Sequence, residues 1–136
     1  MKQRFMLDTN AVRVLLERRS PQLDHWFAEE RCSLSAIVAA EIPFGLARQL
    51  LSGQRASLVS DLLEVLPIEA FDAQVASTDG LLRAELQRLG ISLSAMDLLI
   101  AAHALALGRS LVSLDQAFAK VPSSTGVMLL TPAVES

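Results

Sequence analysis

Four acidic residues differ in setting from the other eleven. Asp8 closes a short apolar run in Leu7-Asp8-Thr9-Asn10, and Asp115 closes another in Ser113-Leu114-Asp115. Glu41 lies in Val38-Ala39-Ala40-Glu41-Ile42, and Asp97 in Ala95-Met96-Asp97-Leu98-Leu99-Ile100, each a single charge in an apolar stretch. An uncompensated buried carboxylate costs several kcal/mol, so it must be paired, protonated or bound to a cation. One helical turn from Asp97 stand Leu93, Ser94, Ile100 and Ala101; around Glu41 stand Ile37, Val38, Phe44 and Gly45. No local Lys or Arg answers either charge. A cluster of carboxylates suits Mg²⁺ or Mn²⁺, hard cations that take oxygen ligands alongside water and substrate phosphates.

Three of the acids also have a plainer reading. Asp8 and Asp115 can cap the helices that follow them. Asp97 can complement the dipole of its helix. Glu41, in mid-helix, has no capping role. The conjunction of all four points to one metal site. Glu17, Glu29, Glu30, Asp61, Glu64, Asp79 and Glu85 read as solvated helix faces. Cys32, His25 and His103 lack zinc-ligand spacing, and His103 reads as a partly buried helix residue. There is no G-x-S-x-G and no Cys–His pairing for a covalent nucleophile.

The elements that must position these acids alternate. Short β-like runs cover 4–7, 31–35, 110–114 and 127–130, with at most a very short one at 67–69. Helical periodicity covers 10–19, a segment opened by Ser20-Pro21, and 36–50, 54–66, 72–89 and 94–107. Pro43 should kink its helix or displace the start. Gly90 and Gly108 read as helix ends. In the 54–66 helix Leu58, Val59, Leu62, Leu63 and Leu66 share helical spacing; in 72–89 Val75, Leu82, Leu86 and Leu89 should face inward. Strands separated by helices need crossovers, so the fold class is α/β: a short, mostly parallel central sheet with helices on both faces. In such a sheet, ligands bind outside the carboxyl ends of the strands, where Asp8 and Asp115 stand.

The composition sets the bounds. The chain has 136 residues, 51% hydrophobic and 20% charged, enough for one packed domain spanning 1–136. One cysteine excludes a disulfide-stapled scaffold and suits a reducing cytoplasm. No signal peptide is visible, and the apolar run at 98–107 is about half the roughly 20 residues of a membrane span. The net charge of −3 argues against a basic nucleic-acid coat protein, and five Phe, one Trp and no Tyr argue against a base-stacking platform. If four of the fifteen acids bind metal, however, eleven remain against twelve Lys and Arg. The acidic balance then no longer opposes an RNA substrate.

Asp8-Thr9-Asn10 after the first strand, Glu41 in AAEIPFGL, Asp97-Leu98-Leu99-Ile100-Ala101-Ala102-His103-Ala104, and Ser113-Leu114-Asp115 together resemble the PIN-domain ribonucleases. Over residues 4–131 the chain is most similar to the VapC-type toxins of VapBC toxin–antitoxin modules. The resemblance implies an active site of Asp8, Glu41, Asp97 and Asp115, with the Thr9 and Ser113 hydroxyls beside it and Asn10 ordering the turn. It implies RNA cleavage with Mg²⁺ or Mn²⁺, a homodimer, and silencing by a VapB-type antitoxin. Asp8 and Asp97 would anchor the principal metal, Asp115 would assist, and Glu41 would orient or deprotonate the attacking water. Residues 54–89 carry no recognisable motif.

Other functions compete. A receiver-like phosphoacceptor domain shares the size and the strand-end acids but needs an acidic neighbour for Asp8 and a Lys after the last strand; Lys120 follows Asp115 in a short helix. A non-catalytic interaction domain, or a PIN nuclease of RNA maturation, completes the alternatives.

Overall fold

The computed structural model describes residues 2–49 and 53–135. Five strands form one sheet: β1 (Phe5–Leu7), β2 (Cys32–Ser35), β3 (Ile68–Glu69), β4 (Ser110–Val112) and β5 (Met128–Leu130). Their order is β3-β2-β1-β4-β5, and every described pairing is parallel. Six helices connect them: α1 (Thr9–Leu16), α2 (Pro21–Ala28), α3 (Ala36–Gln49), α4 (Gly53–Val65), α5 (Ala73–Arg88) and α6 (Ala95–Leu107). Two 3-10 turns, Gln116–Lys120 and Ser123–Thr125, separate β4 from β5.

The strand order decides where a ligand can sit. From β1 the chain steps outward through β2 to β3, then returns to place β4 on the other side of β1. Right-handed crossovers running in opposite directions put helices on both faces of the sheet. The reversal opens a crevice at the carboxyl ends of β1 and β4. Phe5–Leu7, Cys32–Ser35 and Ser110–Val112 are buried at every residue, as befits central strands covered on both faces. The edges are wetter: Ile68 and Met128 are exposed.

Local chemistry sets the boundaries. Ser20 caps α2 by accepting from the Leu23 N–H, and Pro21 stands at its first position. Gly108 ends α6 at φ 67°, a left-handed turn that glycine adopts without a Cβ clash. Pro43 neither displaces nor breaks α3, which starts at Ala36 and carries the proline within it. The Ala39 carbonyl therefore lacks its usual helical donor. Leu50, read as the last residue of that helix, lies outside the described residues.

Several expectations need correction. Leu89 and Leu58 are exposed, because α5 and α4 each present only a narrow stripe to the core. Asp79 is buried rather than solvated; it shares the inward face of α5 with Val75, Leu82 and Leu86, and Arg83 one turn on bridges it at 3.0 Å. His103 is fully buried, since it falls in the stretch of α6 from Ile100 to Ala104 where every residue is buried. Trp26 stacks on Phe5 with ring centroids 3.9 Å apart, so the one Trp serves the core.

Candidate active site

Asp8 sits one residue beyond β1, and its two carboxylate oxygens do different things. Oδ1 accepts from the Ala11 N–H at 2.8 Å and so caps α1. Oδ2 accepts a hydrogen bond from the Ser113 hydroxyl, which arrives from the end of the neighbouring strand β4. The Ser113 oxygen in turn accepts from the Asp115 N–H at 3.0 Å. Asp115 caps the following 3-10 turn through the Ala117 N–H at 2.9 Å. One serine thus holds both strand-end acids in a fixed relation across the β1–β4 crevice. The capping reading and the site reading are compatible, because a carboxylate has two oxygens.

Glu41 reaches the same rim from α3. Its Oε2 accepts from the Thr9 hydroxyl at 2.9 Å, and Thr9 follows Asp8 directly. Asp97 stands in the first turn of α6, whose cap Ser94 accepts from the Asp97 N–H at 3.1 Å. Its charge acts on Asp8, as does that of Asp115. Hydrogen bonds therefore tie three of the four acids together at one rim, Asp115 to Asp8 through Ser113 and Glu41 to the residue after Asp8 through Thr9, while Asp97 is near enough for its charge to press on Asp8.

Burial divides differently from the apolar sequence settings. Asp8 is the buried acid, at 6% exposure; Glu41 and Asp97 are half-buried and Asp115 is exposed. α3 turns Glu41 toward Thr9 at the crevice and α6 leaves Asp97 part-open in its first turn, while β1 delivers Asp8 into the floor. Burial pushes the Asp8 carboxyl above its ordinary range. The Ser113 and Ala11 hydrogen bonds oppose that, and the Asp115 and Asp97 charges add to it. Asn10 is exposed in α1, and among the described residues its side chain makes no hydrogen bond.

Among the described residues, none of the four acids joins an ion pair. That includes Lys120, so the lysine of a receiver-like site is absent there. Nor do three acidic, His or Cys side chains among them come close enough to form a ready-made metal cage. The donor set nonetheless fits a hard divalent cation. It consists of carboxylates and hydroxyls, carries uncompensated negative charge, and opens to water that can complete a coordination shell.

A short cleft lined by Ser113, Asp115, Phe118, Leu129 and Leu130 adjoins the site. Sequence reasoning missed how Ser113 works. The S-x-D spacing marks a hydroxyl near the acids, but only the β1–β4 pairing shows that it bridges two of them.

The profile described as PIN domain matches residues 5–123. Ribonuclease VapC2 of Rickettsia felis is 30% identical over 124 residues, covering 88% of this chain and 92% of the relative. The tRNA(fMet)-specific endonuclease VapC of Salmonella typhimurium is 28% identical over 122 residues, covering 88% and 92%. The crystal structure of VapBC2 from Rickettsia felis, bound to a DNA fragment from its promoter, matches at a TM-score of 0.81 and 27% identity. That match covers 95% of this chain and 98% of the other.

Proposed function

The chain belongs to the PIN-domain family, among the VapC ribonucleases, and from that premise we propose that it is a Mg²⁺- or Mn²⁺-dependent endoribonuclease serving as the toxin of a toxin–antitoxin module. The observation that carries the reading is the state of Asp8. It is buried, lacks a cationic partner among the described residues, and sits under the field of Asp97 and Asp115 at the strand-order reversal. Such a group favours either a proton or a cation.

Asp8, Asp97, Asp115 and Glu41 would hold the cation. When bound, it stabilises negative charge on the scissile phosphate and acidifies water. The chain's own residues do the rest. Ser113 orients Asp8 and, through the Asp115 N–H, the turn that carries Asp115. Thr9 holds Glu41 by one oxygen, leaving the other free to orient the attacking water or accept its proton. The buried Trp26 offers no stacking face, which favours recognition of phosphates and RNA shape over bases.

The partner is a VapB-type antitoxin, a reading the VapBC2 neighbour supports. The remaining elements are a homodimer, a cytoplasmic location and one domain over 1–136. In support of the last, the Glu135 N–H donates to the Arg19 carbonyl at 2.7 Å, tying the C-terminal segment to the end of α1. No helix among the described residues is long and apolar enough to cross a membrane.

The test is incubation with total RNA in Mg²⁺ or EDTA, with fragment ends mapped, for the wild type and Asp97→Asn; tRNA(fMet), the substrate in the Salmonella relative's name, is the first candidate. Discrete Mg²⁺-dependent ends absent from the variant support the reading. Intact RNA, or identical ends from both proteins, refutes it.

A further inference from the structure

At the carboxyl end of β2, level with Asp8 in the β1–β2 register, α6 meets the start of α3 through one buried polar contact. His103 and Ser35 are both fully buried, and His103 Nδ1 lies 2.7 Å from Ser35 Oγ. Ser35 is the last residue of β2, and its oxygen also accepts from the Ile37 N–H at 3.1 Å, in the first turn of α3. The contact therefore joins the middle of α6 to the start of α3. The spacing on the two helices matches: Asp97 precedes His103 by six residues, and Glu41 follows Ser35 by six. Six helical residues are about 9 Å of rise, short enough for a shift at the contact to reach both carboxylates.

We propose that His103 is a positioning residue for the active site, bracing the helix that carries Asp97 against the helix start that carries Glu41 through the Ser35 hydroxyl. The inference rests on the ribonuclease reading and adds a residue to it. Ser35 Oγ accepts from Ile37 with one lone pair and still has a hydrogen and a second lone pair, so it pairs with His103 Nδ1 in either tautomer of the neutral ring. Nε2 meets no partner in good hydrogen-bond geometry among the described residues, although the Ala70 backbone lies near enough to the ring to favour its protonated form. Phe71 packs edge-on against the imidazole, with centroids 5.3 Å apart, and holds its orientation. A polar pair enclosed on an otherwise apolar helix is costly unless satisfied, and a leucine would fill the same space.

The test compares wild type, His103→Leu, His103→Asn and Ser35→Ala. Each is read by melting temperature, by calorimetric titration with Mn²⁺ alone, and by kcat and KM on a short RNA spanning a cleavage site mapped with the wild type. His103→Leu should lower kcat about tenfold and weaken Mn²⁺ binding several-fold, with KM unchanged. His103→Asn, whose amide occupies the Nδ1 position, should recover most of both. If His103→Leu does not fold, Ser35→Ala carries the test and should show the same split. In the double variant the second substitution should add little, since the pair acts as one unit. A folded His103→Leu or Ser35→Ala protein with wild-type Mn²⁺ affinity and kcat overturns the proposal, even if its melting temperature falls. A wild type that neither binds Mn²⁺ nor cleaves RNA overturns the ribonuclease reading beneath it.

Discussion

The Ser113 hydroxyl donates a hydrogen bond to Oδ2 of Asp8, across the seam between β4 and β1. It joins the floor of the crevice to the loop that carries Asp115, and it favours the charged form of a carboxyl that burial otherwise disfavours. Two predictions grow from this arrangement and two more from the Thr9–Glu41 bond and the buried His103.

Asp8→Asn should abolish cleavage, by at least about 10²-fold, while stabilising the metal-free protein. The amide keeps an oxygen for the Ala11 N–H and removes a buried charge pressed by two others. A gain of about 1 kcal/mol, some 4 °C in Tm, is expected. Calorimetry checks it; a fall in Tm contradicts it.

The pH dependence of that gain has a defined sign. The folded Asp8 carboxyl titrates above its unfolded value of 3.8, so the folded state binds the proton more tightly. Asp8 thus costs nothing below the unfolded value and becomes destabilising as pH rises through the folded one. The stability difference between Asp8→Asn and wild type should grow with pH over that window and then level off. Mg²⁺ at neutral pH should raise the Tm of wild type and leave Asp8→Asn unmoved.

Thr9→Val keeps the shape and removes the hydroxyl that donates to Glu41 at 2.9 Å. Glu41 is then free to rotate. The expected result is a kcat about tenfold lower, equivalent to about 1.4 kcal/mol, with KM and Tm little changed. Thr9→Ser should retain most activity. Equal rates for Thr9→Val and wild type would remove Glu41 orientation from the account.

His103 gives a second pH signature. Burial pushes its imidazole below the ordinary 6.5; the Glu69 charge and the Ala70 backbone oppose this, as does Asp72, while Arg109 adds to it. The unfolded chain takes up the proton first. Stability should therefore be full above about pH 6.5 and fall as pH drops toward the folded value. Urea titrations of wild type and His103→Asn between pH 5.5 and 8 measure it: the slope below 6.5 should be steeper in the wild type.

The sequence made much of this legible because parallel sheets leave strong signs. Strand, acid and helix follow one another at Leu7-Asp8-Thr9 and again after Val112, and the strand order then places both acids at one crevice. Glu41 and Asp97 were legible as charges without local partners. What could not be read was depth. Helical periodicity cannot say that the middle of α6 is enclosed so fully that His103 is sealed, nor that Asp79 faces inward with Arg83 as its partner. It placed Leu58 and Leu89 on apolar stripes without telling which end of each stripe runs out of core. The Ser113 bridge and the His103–Ser35 contact join residues 105 and 68 positions apart, so only the folded chain reveals them.

The most direct test of the central claim is the initial rate of cleavage of one labelled RNA, measured as Mg²⁺ is titrated into EDTA-treated protein, for wild type and Asp8→Asn side by side. The account predicts no cutting without metal, a saturable rise in rate for wild type, and a flat line for the variant. A wild-type rate independent of Mg²⁺ and Mn²⁺, or an Asp8→Asn protein that cuts as fast as wild type, would contradict it.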